Sequence, residues 1–135
     1  MAIKILIIED DISTSQFLSY TMEHKGYQAI TALDGTDGLK KALTGKPDLI
    51  ILDIMLPGLD GFELCHRLRA YPATADIPVL ILSAKALAAD RIAAFKVGAN
   101  GYKVGANGYI VKPADPAKIV DAVKNILNKK LQREN

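Results

Sequence analysis

Glu9, Asp10 and Asp11 stand in a row directly after an apolar run, and Asp53 follows a second such run. Ser83 closes a third, and Lys112-Pro113 follows a fourth. Brought to one place, acids, a hydroxyl and an ammonium make a definite chemistry available. Carboxylates packed together repel, and the repulsion drives a pKa upward unless a cation neutralises them. A hard divalent ion is the simplest such partner. Few protein oxygens, with room left for water and phosphate, suit Mg2+ better than Ca2+. A carboxylate beside that ion can attack phosphorus and give an acyl phosphate. The metal and a lysine then share the charge on the transferring group. Taken singly, each residue has a plainer role. An acid after a strand is ordinarily a solvated loop residue, and Asp11 would serve equally as a helix cap. Ser83 alone reads as a turn residue and Lys112 alone as a surface charge. Their joint placement at strand ends is what favours chemistry.

The elements that must position these groups alternate along the chain. Ile3–Ile8, Asp48–Leu52 and Pro78–Leu82 are rich in Ile, Leu and Val, as strands buried on both faces of a parallel sheet are. Gln28–Thr31 and Tyr109–Val111 are weaker strand candidates. Ser13 with Gln16 fits a capping box for a helix running to about Lys25, stopped by Gly26. Thr36–Leu43 is a short helical stretch, and Asp60 with Glu63 forms a second capping box for Gly61–Ala70. An alanine-rich fourth helix spans about Leu87 to Val97. Asp115 and Pro116 supply a cap and a first helical residue for the last helix, which carries Ile119, Val120, Val123, Ile126 and Leu127 on one face. Five strands alternating with five helices imply right-handed crossovers and a three-layer α/β sandwich. In such sheets ligands bind beyond the carboxyl ends of the strands, where the polar residues gather here.

One stretch departs from this pattern. Lys96-Val-Gly-Ala-Asn-Gly-Tyr102 is followed at once by an identical Lys103-Val-Gly-Ala-Asn-Gly-Tyr109. The period is too short for a solenoid and two copies are too few for a coiled coil, so it is a tandem duplication inside an ordinary domain. Only the second copy leads into Ile110-Val-Lys-Pro113, so Tyr109 rather than Tyr102 should enter the fifth strand. The extra residues then lengthen either the preceding loop or the fourth helix. Gly98 and Gly101 would each cost a helix about 1 kcal/mol, which favours a helix ending near Gly98 and a looped insertion.

Composition bounds the function classes. The 135 residues suit one domain, with half of them apolar and a net charge of +2 from 17 basic and 15 acidic side chains. That charge gives no bulk attraction for nucleic acid or membrane. A single cysteine, Cys65, permits no internal disulfide, and it falls on a core stripe with Phe62 and Leu68. His24 and His66 lack metal-ligand spacing and read as surface residues. Charge at the amino terminus takes the place of a signal peptide's apolar stretch, and no run approaches a membrane span. These features point to a cytoplasmic location.

Four blocks carry a resemblance to a known family: Ile5-Leu-Ile-Ile-Glu-Asp-Asp11, Asp53-Ile-Met-Leu-Pro-Gly-Leu-Asp-Gly-Phe-Glu-Leu64, Ile81-Leu-Ser83 and Tyr109-Ile-Val-Lys-Pro113. Together they resemble the receiver domain of bacterial two-component response regulators, over nearly the whole chain apart from the duplicated heptad and the last few residues. The resemblance implies a flavodoxin-like five-stranded parallel sheet of order 2-1-3-4-5. It implies that Asp53 accepts phosphate from a histidine kinase or phosphotransfer protein. It further implies that Glu9, Asp10, Asp53 and the backbone carbonyl of Met55 hold Mg2+. Ser83 and Tyr109 match the switch positions, and Lys112 matches the phosphate-binding lysine, with a cis bond to Pro113. The domain would occupy residues 1–128, with 129–135 a tail or a truncated linker. Such a module is a phosphoacceptor that catalyses its own phosphorylation and dephosphorylation rather than a conventional enzyme. It would contact neither nucleic acid nor membrane directly. A homodimer through the face of the fourth helix, fifth strand and fifth helix is a further expectation, and a lengthened fourth helix could instead give a domain-swapped dimer that exchanges the last strand and helix.

Two other classes fit less well. A haloacid-dehalogenase-type phosphatase also uses a strand-end Asp, but wants a second Asp two residues later, where Met55 stands. A flavin-binding module needs a hydroxyl- and glycine-rich phosphate loop after the first strand, where acids would repel a flavin phosphate.

Overall fold

Runs of β-branched and leucyl side chains have no polar face to offer water, so they form strands covered on both sides. In the computed structural model, which describes residues 2–56, 59, 61–84 and 106–134, they do so as β1 (Lys4–Ile8), β2 (Gln28–Ala32), β3 (Leu49–Leu52), β4 (Val79–Ser83) and β5 (Gly108–Val111). All pair in parallel, in the order β2-β1-β3-β4-β5. The helices among the described residues are α1 (Ile12–His24), α2 (Gly35–Gly45), α3 (Gly61–Ala70) and a C-terminal helix, Pro116–Glu134. The expected order and α/β layering are both present. The expected helix over Leu87–Val97, and with it the choice between loop and helix for the duplicated heptad, lies outside the described residues.

Alternation along the strands builds two cores. Leu6, Ile8, Ile50, Leu52 and Ile81 pack with Ala42 of α2 and Leu64, Cys65 and Leu68 of α3. Ile5, Ile7, Leu49, Ile51 and Leu80 face the other way, against Leu18 and Met22 of α1 and Ile119, Val120, Val123 and Leu127 of the C-terminal helix. Most of these side chains are fully buried, at about 1.5–3 kcal/mol each, so packing outweighs any cap or ion pair in holding the layers together. The exceptions are β2, of whose five residues only Ala32 is buried, and β5, whose four residues are all half-buried. These are the two edge strands of the sheet, which explains why their sequences were the weaker strand candidates.

Local chemistry sets the ends. The expected Ser13 cap is displaced, because Asp11 starts α1 earlier: its carboxylate accepts from the Thr14 N–H at 2.9 Å and from the Thr14 hydroxyl at 2.6 Å. Those hydrogen bonds hold the exposed Asp11 carboxyl below its ordinary value. Asp34 caps α2 in the same way, accepting from the Asp37 N–H at 2.7 Å, so that helix begins at Gly35 rather than Thr36. Gly26 ends α1 with φ +90, a region that L side chains avoid. Asp115 accepts from the Ala117 N–H at 2.9 Å, and Pro116 is the first helical residue, as its fixed φ favours. That helix continues through residues 129–134. Asp60, the expected cap of α3, lies outside the described residues. Among the described residues no helix is long and apolar enough to cross a membrane.

Candidate functional site

The carboxyl ends of β1, β3 and β4 and the segment after β5 lie side by side, because parallel strands in register end at a common edge. Ile8 pairs with Leu52, and Ser83 with Val111. The residue after β1 is Glu9, buried at 2% exposure; the residue after β3 is Asp53, buried at 7%. Backbone bonds carry the ladder one step past the strands and fix both. The Glu9 N–H donates to the Ala32 carbonyl at 3.0 Å, and the Asp53 N–H to the Ile8 carbonyl at 3.0 Å. Carboxylate oxygens of Glu9, Asp10 and Asp53 all lie within 4.8 Å of one another.

Among the described residues, one cation faces them. The Lys112 ammonium donates to Glu9 Oε1 and, at 3.3 Å, to Asp53 Oδ2. Its backbone is tied to the end of β4, where the Lys112 N–H donates to the Ser83 carbonyl at 2.8 Å. The Lys112–Pro113 bond is cis, as the resemblance implied. The other oxygen of Asp53 accepts from the Met55 N–H at 3.0 Å, while the Met55 side chain is exposed. Ser83 is fully buried at the end of β4. Tyr109 lies in β5 opposite Ile81 and packs, half-buried, against the α2/α3 core. It comes from the second copy of the heptad, as the sequence requires.

Among the described residues the site is short of positive charge. Burial, reinforced by the charge of Asp53, pushes Glu9 up to about 7, against the pull of its Lys112 hydrogen bond. Burial alone would lower Lys112, but the hydrogen bond to Glu9 and the charge of Asp53 more than offset it, and the ammonium stays above its ordinary value. One lysine cannot neutralise three carboxylates, so Lys112 remains a cation while Glu9 stays reluctant to ionise. A donor set of carboxylate oxygens around a partly open position fits a hard divalent cation with several waters retained. The residues present therefore fit Mg2+.

Cys65 is buried in the core with its thiol pushed up by burial, and His24 and His66 are exposed, as their sequence settings indicated. Two polar residues that sequence reasoning passed over, Arg69 and Asn107, are hydrogen-bonded to each other at the opposite end of β4 and β5. An arginine on an amphipathic helix ordinarily reads as solvated, and nothing local to Arg69 signals otherwise.

Residues 5–124 match the family described as the response regulator receiver domain. The chain is 43% identical over 126 residues to the alkaline phosphatase synthesis transcriptional regulatory protein PhoP of Bacillus subtilis, covering 93% of this chain and 49% of that protein. It is 38% identical over 131 residues to the response regulator ArlR of Staphylococcus aureus, covering 97% of this chain and 55% of the relative. It thus spans about half the length of both. A solved structure of a putative response regulator from Chloroflexus aurantiacus superposes with a TM-score of 0.83 at 35% identity, covering 95% of this chain and 99% of that one. A family match over residues 5–124, with relatives of this similarity, means that the chain belongs to the response regulator receiver domain family, the phosphorelay signalling module of two-component systems.

Proposed function

We propose that Asp53 accepts a phosphoryl group from a phosphohistidine donor, a histidine kinase or a phosphotransfer protein. The observation that carries this reading is the convergence of Glu9, Asp10 and Asp53 within 4.8 Å, with Lys112 bonded to Asp53. A carboxylate oxygen of Asp53 forms the new bond to phosphorus as the donor's N–P bond breaks, and the imidazole leaves with the electron pair of that bond. The product is an acyl phosphate, and attack by water returns inorganic phosphate and free Asp53. Glu9, Asp10, Asp53 and the Met55 carbonyl would hold Mg2+, which supplies positive charge against the phosphoryl oxygens. Lys112 does the same from the protein side, and the Met55 N–H orients the Asp53 carboxylate. Ser83 would then engage the phosphoryl group and Tyr109 turn inward, switching the face that includes β5 and the C-terminal helix and so changing association between copies. A buried free thiol at Cys65 suits the reducing cytoplasm.

The test uses Mg2+ with acetyl phosphate as a small donor and beryllofluoride as a mimic of the phosphoryl group. Phosphate should appear on Asp53 alone, and Asp53→Asn should take up neither reagent. Equal labelling of Asp53→Asn at another residue would overturn the assignment.

A further inference from the structure

Arg69 and Asn107 lie outside the chemistry described so far, yet they join three separate segments. Arg69, on α3, is 7% exposed. Its Nη1 donates to the carbonyls of Ile77 at 2.7 Å, Ala75 at 3.1 Å and Thr74 at 3.4 Å, which fastens the connection into β4. Its Nη2 donates to Asn107 Oδ1 at 3.3 Å. The same Oδ1 accepts from the Val79 N–H at 2.8 Å, and the Asn107 N–H donates to the Val79 carbonyl at 2.6 Å. Asn107 thus closes a two-way pair with the first residue of β4, one step before the ladder begins at Leu80 and Gly108.

We propose that Asn107, held by Arg69, is the positioning residue that fixes the register of β5 and so delivers Lys112 to Asp53. The proposal rests on the phosphoacceptor reading above and extends it to the far end of the sheet. Register matters because one step moves a strand by about 3.3 Å and turns every side chain to the opposite face. The Lys112–Asp53 contact, at 3.3 Å, does not survive such a displacement. It matters more here than in an ordinary strand, because the heptad offers the sheet a second Asn-Gly-Tyr string, Asn100-Gly101-Tyr102. An alignment anchored on Asn100 would bring Gly105 to the place of Lys112 and Lys103 to the place of Ile110. Lys112 and the half-buried Ile110 therefore favour the second copy, and Asn107 fixes it.

The test compares Asn107→Ala, Asn107→Asp and Asn100→Ala with the wild-type chain. Beryllofluoride binding in Mg2+ reads Lys112; Mg2+ binding alone reads Glu9, Asp10 and Asp53, none of which is on β5. Asn107→Ala should weaken beryllofluoride binding by about three- to tenfold while leaving Mg2+ affinity unchanged. Asn107→Asp should restore it, because both side-chain contacts are made by the acceptor Oδ1. Asn100→Ala should match the wild type. Hydrogen exchange at the Lys112 amide, which donates to Ser83, should quicken in Asn107→Ala. Wild-type binding and wild-type exchange in Asn107→Ala would overturn the proposal, as would an equal loss in Asn100→Ala or a parallel loss of Mg2+ affinity. If the wild-type chain itself takes no beryllofluoride, the phosphoacceptor reading fails, and the Lys112 amide still decides the register.

Discussion

Glu9 governs how the site responds to pH. Its carboxyl is raised from 4.5 to about 7 by burial first and by Asp53 second, so folding of the metal-free chain takes up a proton in that window. Stability contributed by this group is therefore full below the unfolded value and is lost as pH rises through about 7. Lys112, also raised, contributes stability that is present below its ordinary 10.5 and lost only above it. We expect the urea midpoint of the metal-free chain to fall between pH 5 and 8, and Glu9→Gln to flatten that slope. A slope unchanged in Glu9→Gln would remove Glu9 from the account. Because Mg2+ binds the ionised carboxylate, its affinity should rise over the same interval, measured by calorimetry. Lys112→Ala should spare Mg2+ affinity and weaken beryllofluoride binding; equal loss of both would give the lysine a structural role. Glu9, Asp10, Asp53 and Lys112 were all legible in the sequence, because a strand-end position and an ionisable group are both local features. Arg69 and Asn107 were not, because their roles arise only when segments 38 residues apart meet.

Among the elements, α3 is the one whose entry is tightest against the site. A Cβ at Gly61 would sit 2.3 Å from the Ile54 Cα and 2.9 Å from the Asp53 carbonyl oxygen. Both are backbone atoms, so neither can turn aside as a long side chain could. Gly61→Ala should lower the urea-extrapolated stability by about 1–3 kcal/mol and disturb beryllofluoride binding at Asp53 together. Unchanged stability would mean that the Asp53–Ile54 segment yields freely. The elements themselves were readable from composition. β1, β3 and β4 fall within about a residue of their expected ends, which is the ordinary uncertainty of strand boundaries. The first helix start was misplaced because two cap candidates stood close together, Asp11 and Ser13. Asp11 prevails because its carboxylate reaches both the N–H and the hydroxyl of Thr14.

For the whole molecule, the duplicated heptad is the feature that family membership does not explain, and it permits a clean experiment. The copies are identical and adjacent, so deleting either one leaves the same protein, in which Asn-Gly-Tyr still runs directly into Ile-Val-Lys-Pro. The C-terminal side of the junction is unchanged, and with it β5, the Lys112 contacts to Glu9 and Asp53, and the packing of the C-terminal helix. Chain entropy adds little: shortening the segment between Ser83 and Gly108 by seven residues changes loop closure by about 0.3 kcal/mol if it behaves as a flexible loop. The deletion should therefore fold with nearly the same urea midpoint and bind Mg2+ and beryllofluoride as the full chain does. Association is where the two proteins should differ. The second copy of the heptad runs into β5, supplying its Gly108 and Tyr109, and β5 is an edge strand that belongs to the face proposed to switch with Asp53. If the seven further residues change the surface a second copy must match, a self-complementary contact uses each changed surface twice. Sedimentation with and without beryllofluoride should show phosphoryl-mimic-dependent dimerisation in the shortened chain that is weaker or absent in the full one. Identical assembly of both proteins under both conditions would leave the heptad without a role in association.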